Sequence, residues 1–143
     1  MRILVVVNEN PVSVDLVRGA LSLSDWERMH IRILFPVPVR ERPGLTELDR
    51  EWLTNHGEYV AEKVADVFRG RGLETNVVVR FGDSASSIII KEAQSFQADW
   101  IVLGQRLDEV VDGWMVDTTV QYVSNYAPCS VKVVPVESWH GTL

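Results

Sequence analysis

The chain has 143 residues, a length that suits one domain over 1–143, and 46% of them are apolar, enough for a sizeable core. Its net charge is −6 and no run of Lys or Arg offsets the acid, which excludes the basic surface that nucleic acid or an anionic membrane requires. The one cysteine, Cys129, excludes an intrachain disulfide, suits a reducing cytoplasm, and reads as a small buried apolar side chain.

The start at Met1 runs into Ile3–Val7, too short and too poorly flanked for a signal peptide or a membrane span. No later stretch approaches the ~20 apolar residues that cross a bilayer. The expected location is therefore the cytoplasm.

Ile3-Leu4-Val5-Val6-Val7 is a continuous β-branched run, the pattern of a central parallel strand covered on both faces. Asn8-Glu9-Asn10-Pro11 breaks it, and a helix is expected from Val12 or Ser13, with Val14, Val17 and Leu21 on one stripe. His30–Val37 predicts a second strand, closed by Pro36 and Pro38, and Pro43-Gly44 a loop. From Leu45 to Arg69 the residues Leu45, Leu48, Trp52, Tyr59, Val60, Val64 and Val67 recur at helical spacing, until Gly70-Arg71-Gly72 stops the helix.

Thr75–Arg80 predicts the third strand and Gly82-Asp83-Ser84 a turn, with Asp83 or Ser84 capping the next helix. In that helix Ala85, Ile88, Ile89, Ala93 and Phe96 are expected to face the sheet. Trp100–Leu103 predicts a fourth strand ending at Gly104, followed by a loop. A last helix is expected from Asp117 to Tyr126, ended by Pro128, and Ser130–Val136 reads as the fifth strand. Strands alternating with helices imply an α/β fold: a five-stranded parallel sheet with right-handed crossovers and helices on both faces, a three-layer Rossmann-like arrangement.

In such a sheet ligands bind at the carboxyl ends of the strands, and a helix start there offers free N–H groups to an anion. The segment after Gly104 occupies this place, yet it carries Asp108, Glu109, Asp112 and Asp117 against one cation, Arg106. A carboxylate at the helix start would take the free N–H groups for itself as an N-cap. At ~6 Å and an effective dielectric of about 20 it would cost a bound phosphate roughly 3 kcal/mol, or about two decades of affinity. Magnesium bridging carboxylate and phosphate offsets part of that cost. Trp114 has two readings, one folded over the crevice and one facing a partner.

The stretch Ala98–Thr118 resembles the universal stress protein family, whose nucleotide-binding members carry G-x2-G-x9-G-[S/T] after the fourth strand. Gly104 occupies the first glycine position, Leu107 the second, and Asp117-Thr118 the final pair, so the spacing is intact while two of three glycines are gone. Glycines serve there because they let backbone N–H groups approach phosphates without a Cβ in the way. Gly82-Asp83-Ser84-Ala85 echoes the family's Gly-Asp-Pro-Ala-like turn, and Ala127-Pro128-Cys129 its entry to strand five. The resemblance implies strand order 3-2-1-4-5. It places Asn8 where nucleotide-binding relatives typically have an aspartate, and Val37 or Val39 beside an adenine.

It also implies a homodimer through the fifth strand, an apolar edge formed by Val131, Val133, Val134 and Val136 with Pro135 limiting the pairing. The alternative is a monomer whose edge is covered by Glu137–Leu143. The leading functional reading is a non-enzymatic stress-response or regulatory protein acting through unidentified protein partners, with no cofactor, metal, nucleic acid or membrane. The alternative is a binder or weak hydrolase of ATP or AMP with a modified, magnesium-assisted loop, resting on Asn8, Gly104 and Thr118. Other chemistry is thin: His30, His56 and His140 lack metal-ligand spacing, and G-x-S-x-G is absent. A phosphoacceptor receiver domain needs a Lys after the last strand, whereas Lys132 lies inside it.

Overall fold

The computed structural model describes residues 1–8, 14–23, 28–40, 42–106, 110–111, 114–115 and 118–136, with backbone alone for 14–16, 105–106, 110–111, 114–115 and 136. The elements run β1 (Arg2–Val6), α1 (Val14–Leu21), β2 (His30–Pro38), α2 (Glu47–Arg69), β3 (Glu74–Gly82) and α3 (Ala85–Phe96). They continue with β4 (Trp100–Arg106), β5 (Val110–Val111), β6 (Trp114–Met115), α4 (Thr118–Tyr126) and β7 (Ser130–Val136). Five parallel strands form one sheet in the order β3-β2-β1-β4-β7, which is the expected 3-2-1-4-5 order once the small β5–β6 pair is set aside.

Period-2 alternation divides the core into two layers. Ile3, Val5, Ile31, Ile33 and Phe35 pack on one face with Val17 and Ala20 of α1 and Leu53, Ala61, Val64 and Phe68 of α2. Leu4, Leu34, Ile101 and Leu103 pack on the other with Ile88, Ile89, Ala93 and Phe96 of α3 and Val123 of α4. Ile3, Leu4 and Val5 are all fully buried, as a strand covered on both faces requires.

Helix α2 corrects one expectation. It forms, starting at Glu47 because Thr46 and Asp49 make a reciprocal capping box. Yet Leu48, Trp52, Tyr59 and Val67 of the expected stripe are exposed, and the core face is Leu53, Gly57, Ala61, Val64, Ala65 and Phe68. Both sets have helical period. The set rich in small residues wins the sheet because it lets the helix axis come close: a Cβ on Gly57 would lie 2.8 Å from the Phe35 ring and 3.0 Å from Val79. Outward, Trp52 stacks on His56 with centroids 4.8 Å apart, and Lys63 lies over Tyr59.

Helix α3 is capped by Ser84, paired reciprocally with Ser87, and ends at Gln97 in the left-handed region. It buries one charge. Glu92, 5% exposed, accepts from Arg80 Nε at 2.9 Å and lies 3.7 Å from Arg32 Nη1, whose guanidinium sits over the Phe96 ring. Arg32 and Arg80 come from β2 and β3, so this ion cluster ties the helix to two neighbouring strands.

Gly57→Ala tests the close approach of α2. Helix propensity favours alanine by up to ~1 kcal/mol, whereas overpacking against Phe35 and Val79 costs about 1–3 kcal/mol. The expected outcome is a net loss of stability in urea unfolding; a gain would show that the helix–sheet spacing is slack.

Candidate functional site

The strand order reverses at β1, which pairs with β2 on one edge and β4 on the other. The crevice outside the carboxyl ends of β1 and β4 is the topological switch point. On the β2 side of β1 the ladder ends early for a physical reason. In a parallel pair each strand donates at alternate residues, and among the described residues the last bond from β1 to β2 is Val7 N–H to the Leu34 carbonyl at 2.9 Å. The next donor from β2 towards β1 would be residue 36, then residue 38, and both are prolines. Among the described residues, pairing to β1 therefore stops at Val6 with Leu34. On its other edge β2 runs on with β3 to Pro38 with Gly82, and Val39 N–H donates to the Gly82 carbonyl at 2.8 Å.

Where β1 and β2 part, a cavity of about 310 Å³ opens. Among the described residues it is lined by Asn8, by Phe35, Pro36, Val37 and Pro38, by Arg42 and by Leu53 of α2. Two predicted site residues thus come together. Asn8 is exposed at the mouth; Val37 is 2% exposed and forms part of the floor, so it offers little surface of its own. Arg42 was missed by the sequence reading; its signal is a cation just past the prolines that close β2. The described lining holds an amide, a guanidinium and apolar walls. It offers no carboxylate, imidazole, thiol or hydroxyl for acid–base or nucleophilic work.

The other predicted residues are placed differently. Gly104 does not end β4. It lies inside the strand, paired in register with Val134, and β4 continues through Gln105 with Pro135 to Arg106 with Val136. The expected loop contains a short antiparallel pair, Val110 with Met115 and Val111 with Trp114. The sequence carried the signal: Asp112-Gly113 between two apolar pairs is a two-residue hairpin pattern. Thr118 is the exposed first residue of α4. Leu107 and Asp117 lie outside the described residues, as does the side chain of Trp114, so the expected N-cap at Asp117 does too.

β7 is the edge strand next to β4. Val134 is buried against α1 beside Gly19, and Val131 packs on the second core layer. Val133 is half-buried, Pro135 is exposed, and the side chain of Val136 lies outside the described residues. Lys132 reaches Ser22, after α1, with its ammonium group. Among the described residues no group of three or more His, Cys, Asp or Glu could hold a metal, and no helix is long and apolar enough to cross a membrane.

An open parallel sheet with helices on both faces, its strand order reversing between β1 and β4, defines a Rossmann-like α/β protein. The family model of the universal stress protein family matches residues 1–135, and the chain belongs to that family. Solved structures share the fold. A universal stress protein from Archaeoglobus fulgidus superposes with TM-score 0.71 at 16% identity, covering 94% of this chain and 93% of that one. The same organism's protein in complex with dAMP gives 0.67 at 16% identity, over 94% and 97% of the two chains. A family member from Arabidopsis thaliana with AMP bound gives 0.67 at 14% identity, over 95% and 92%. No curated protein matches the chain.

Cys129, at the entry to β7, is half-buried rather than fully buried. Burial, and secondly the Asp99 carboxylate, push its thiol above the ordinary range. The thiolate is the reactive form. At pH 8 Cys129 is therefore expected to react with a disulfide reagent more slowly than a free thiol, accelerating as pH rises; a rate equal to that of glutathione would contradict this placement.

Proposed function

We propose that this chain is a non-enzymatic, dimeric regulatory member of its family that acts through protein partners in the cytoplasm and does not hold ATP tightly. The observation that carries the reading is the replacement of two phosphate-loop glycines by Leu107 and Asp117 with the motif spacing intact. Leu107 puts a branched side chain where backbone N–H groups must approach phosphate, and Asp117 puts a carboxylate where an anion must sit. The continuation of β4 through Gly104 to Arg106, followed by the β5–β6 pair, supports it, because strand and hairpin occupy the segment that a phosphate loop would need. The lack of acid–base or nucleophilic groups in the described cavity lining supports a non-catalytic role.

One observation favours a second reading. Asn8 and Val37 share a cavity where β1 and β2 part, and family structures are described with dAMP, AMP and cAMP bound. A nucleoside monophosphate needs no seat for β- and γ-phosphates, so this site would take its base and ribose, with magnesium beside Asp117 offsetting the charge on the phosphate.

Isothermal titration with ATP and AMP, with and without magnesium, separates the two. The expected outcome is no heat from either nucleotide at millimolar concentration. Low-micromolar ATP binding would overturn the main reading, and AMP binding that requires magnesium would select the second. If Asp117 repels phosphate, Asp117→Ala tightens any residual ATP binding by up to about two decades, following the ~3 kcal/mol repulsion; if it holds magnesium, the same change abolishes binding.

The dimer is proposed through the outer edge of β7, which no described residue pairs with. The backbone carries it rather than the valines, since Val131 and Val134 are already engaged in the core. Sedimentation at micromolar concentration is expected to return twice the chain mass, and a species of single chain mass would remove the dimer from the proposal.

A further inference from the structure

A second cavity, of about 410 Å³, lies away from the switch point, between α3 and the edge strand β3. Its charges decide what it can accept. Asp83 at its rim is already committed, with Arg40 taking both carboxylate oxygens. Glu92 is committed too, buried and shared between Arg80 and Arg32. Two arginines against one carboxylate leave a charge of one plus, and Lys91 adds another with no ion pair or hydrogen bond among the described residues. The pocket is thus positive in a chain whose net charge is −6.

The donors left over point to the same chemistry. Arg80 spends Nε on Glu92, which leaves its two Nη groups as an end-on fork, the geometry that matches carboxylate and phosphate. Glu92 holds the guanidinium in place, so its orientation is set before any ligand arrives. Lys91 and Ser95 are one helical turn apart on α3 and both line the cavity. Ser95 has no partner among the described residues. Phe81 and Ile88 supply an apolar wall. The free charged groups are donors, the Ser95 hydroxyl can donate beside them, and both carboxylates are neutralised. The volume lies in the range of small-molecule sites.

We infer that this cavity is a binding site for a small oxyanion, the phosphate or carboxylate of a compact molecule with an apolar body, held by Arg80, Lys91 and Ser95. It is independent of the crevice and of the reading of the nucleotide motif.

The test is an NMR titration of the full chain with phenyl phosphate, benzoate and phenol. Saturable shifts at the amides of Lys91 and Ser95 with phenyl phosphate are expected, and none there with phenol. Benzoate binding as well as phenyl phosphate assigns the shared oxyanion, whereas a preference for phenyl phosphate assigns phosphate. Lys91→Gln is expected to weaken binding about ten-fold, and Lys91→Arg to restore most of it. Lys91 is exposed, so both variants should fold, and an unchanged melting temperature checks this. Shifts confined to Asn8 and Gly104, equal shifts with phenol, or equal affinity in Lys91→Gln would overturn the assignment.

Discussion

The burial of β1 on both faces and both edges is the constraint from which the rest of this structure follows. Ile3 and Val5 point into one helical layer and Leu4 into the other, and each is completely buried. A strand with no solvent face cannot shift register by one residue without exchanging its whole side-chain set between layers. Its ends are pinned as well. Arg2 N–H donates to the Asp99 carboxylate, and Asp99 N–H returns to the Arg2 carbonyl, each at 2.8 Å, which fixes the start of β4 beside the start of β1. The position of Asn8 at the crevice mouth is a consequence of where this strand ends.

The two cavities differ in how they are made. The one between β1 and β2 exists because Pro36 and Pro38 cannot donate to β1, so the strands part where the ladder runs out of N–H groups. The one against β3 exists at an open sheet edge, and its character comes from a buried acid that orients two arginines. A missing hydrogen-bond donor shapes the first, and a surplus of donors defines the second. Both are local departures from the apolar sheet, and both use side chains that a uniform core would not contain.

The strands were legible because covered parallel strands are continuous β-branched runs, and β7 is placed by its sequence at Ser130–Val136. Strand order came with the family resemblance, since periodicity carries no lateral information. Which face of α2 turns inward was not legible: Leu48 and Trp52 have the same period as Leu53 and Gly57, and only the close seat on Phe35 decides between them. The end of β4 was misjudged because Gln105 and Arg106 are polar, yet an edge partner in β7 extends the pairing past them. Asn8 and Val37, both expected at the crevice, line one cavity, while Arg42 beside them and Glu92 at the second cavity had no place in the sequence reading. A single charged residue has no periodicity. Arg32 was the available clue, a cation whose place in β2 points it into the α3 layer, where it needs a buried acid.

The central place of the first strand has a consequence for how the protein is made. A ribosome delivers β1, β2 and β3 in order, and these three can pair as soon as they emerge. The other edge of β1 must wait for β4, whose contact with it spans 97 residues of chain. Until then, the nascent half-sheet presents Ile3, Leu4 and Val5 along an unpaired edge, a surface that templates association with other chains. The protein's most vulnerable moment is therefore set by topology: it falls during synthesis, between the pairing of β1 with β2 and the arrival of β4, when its most deeply buried strand is its most open one.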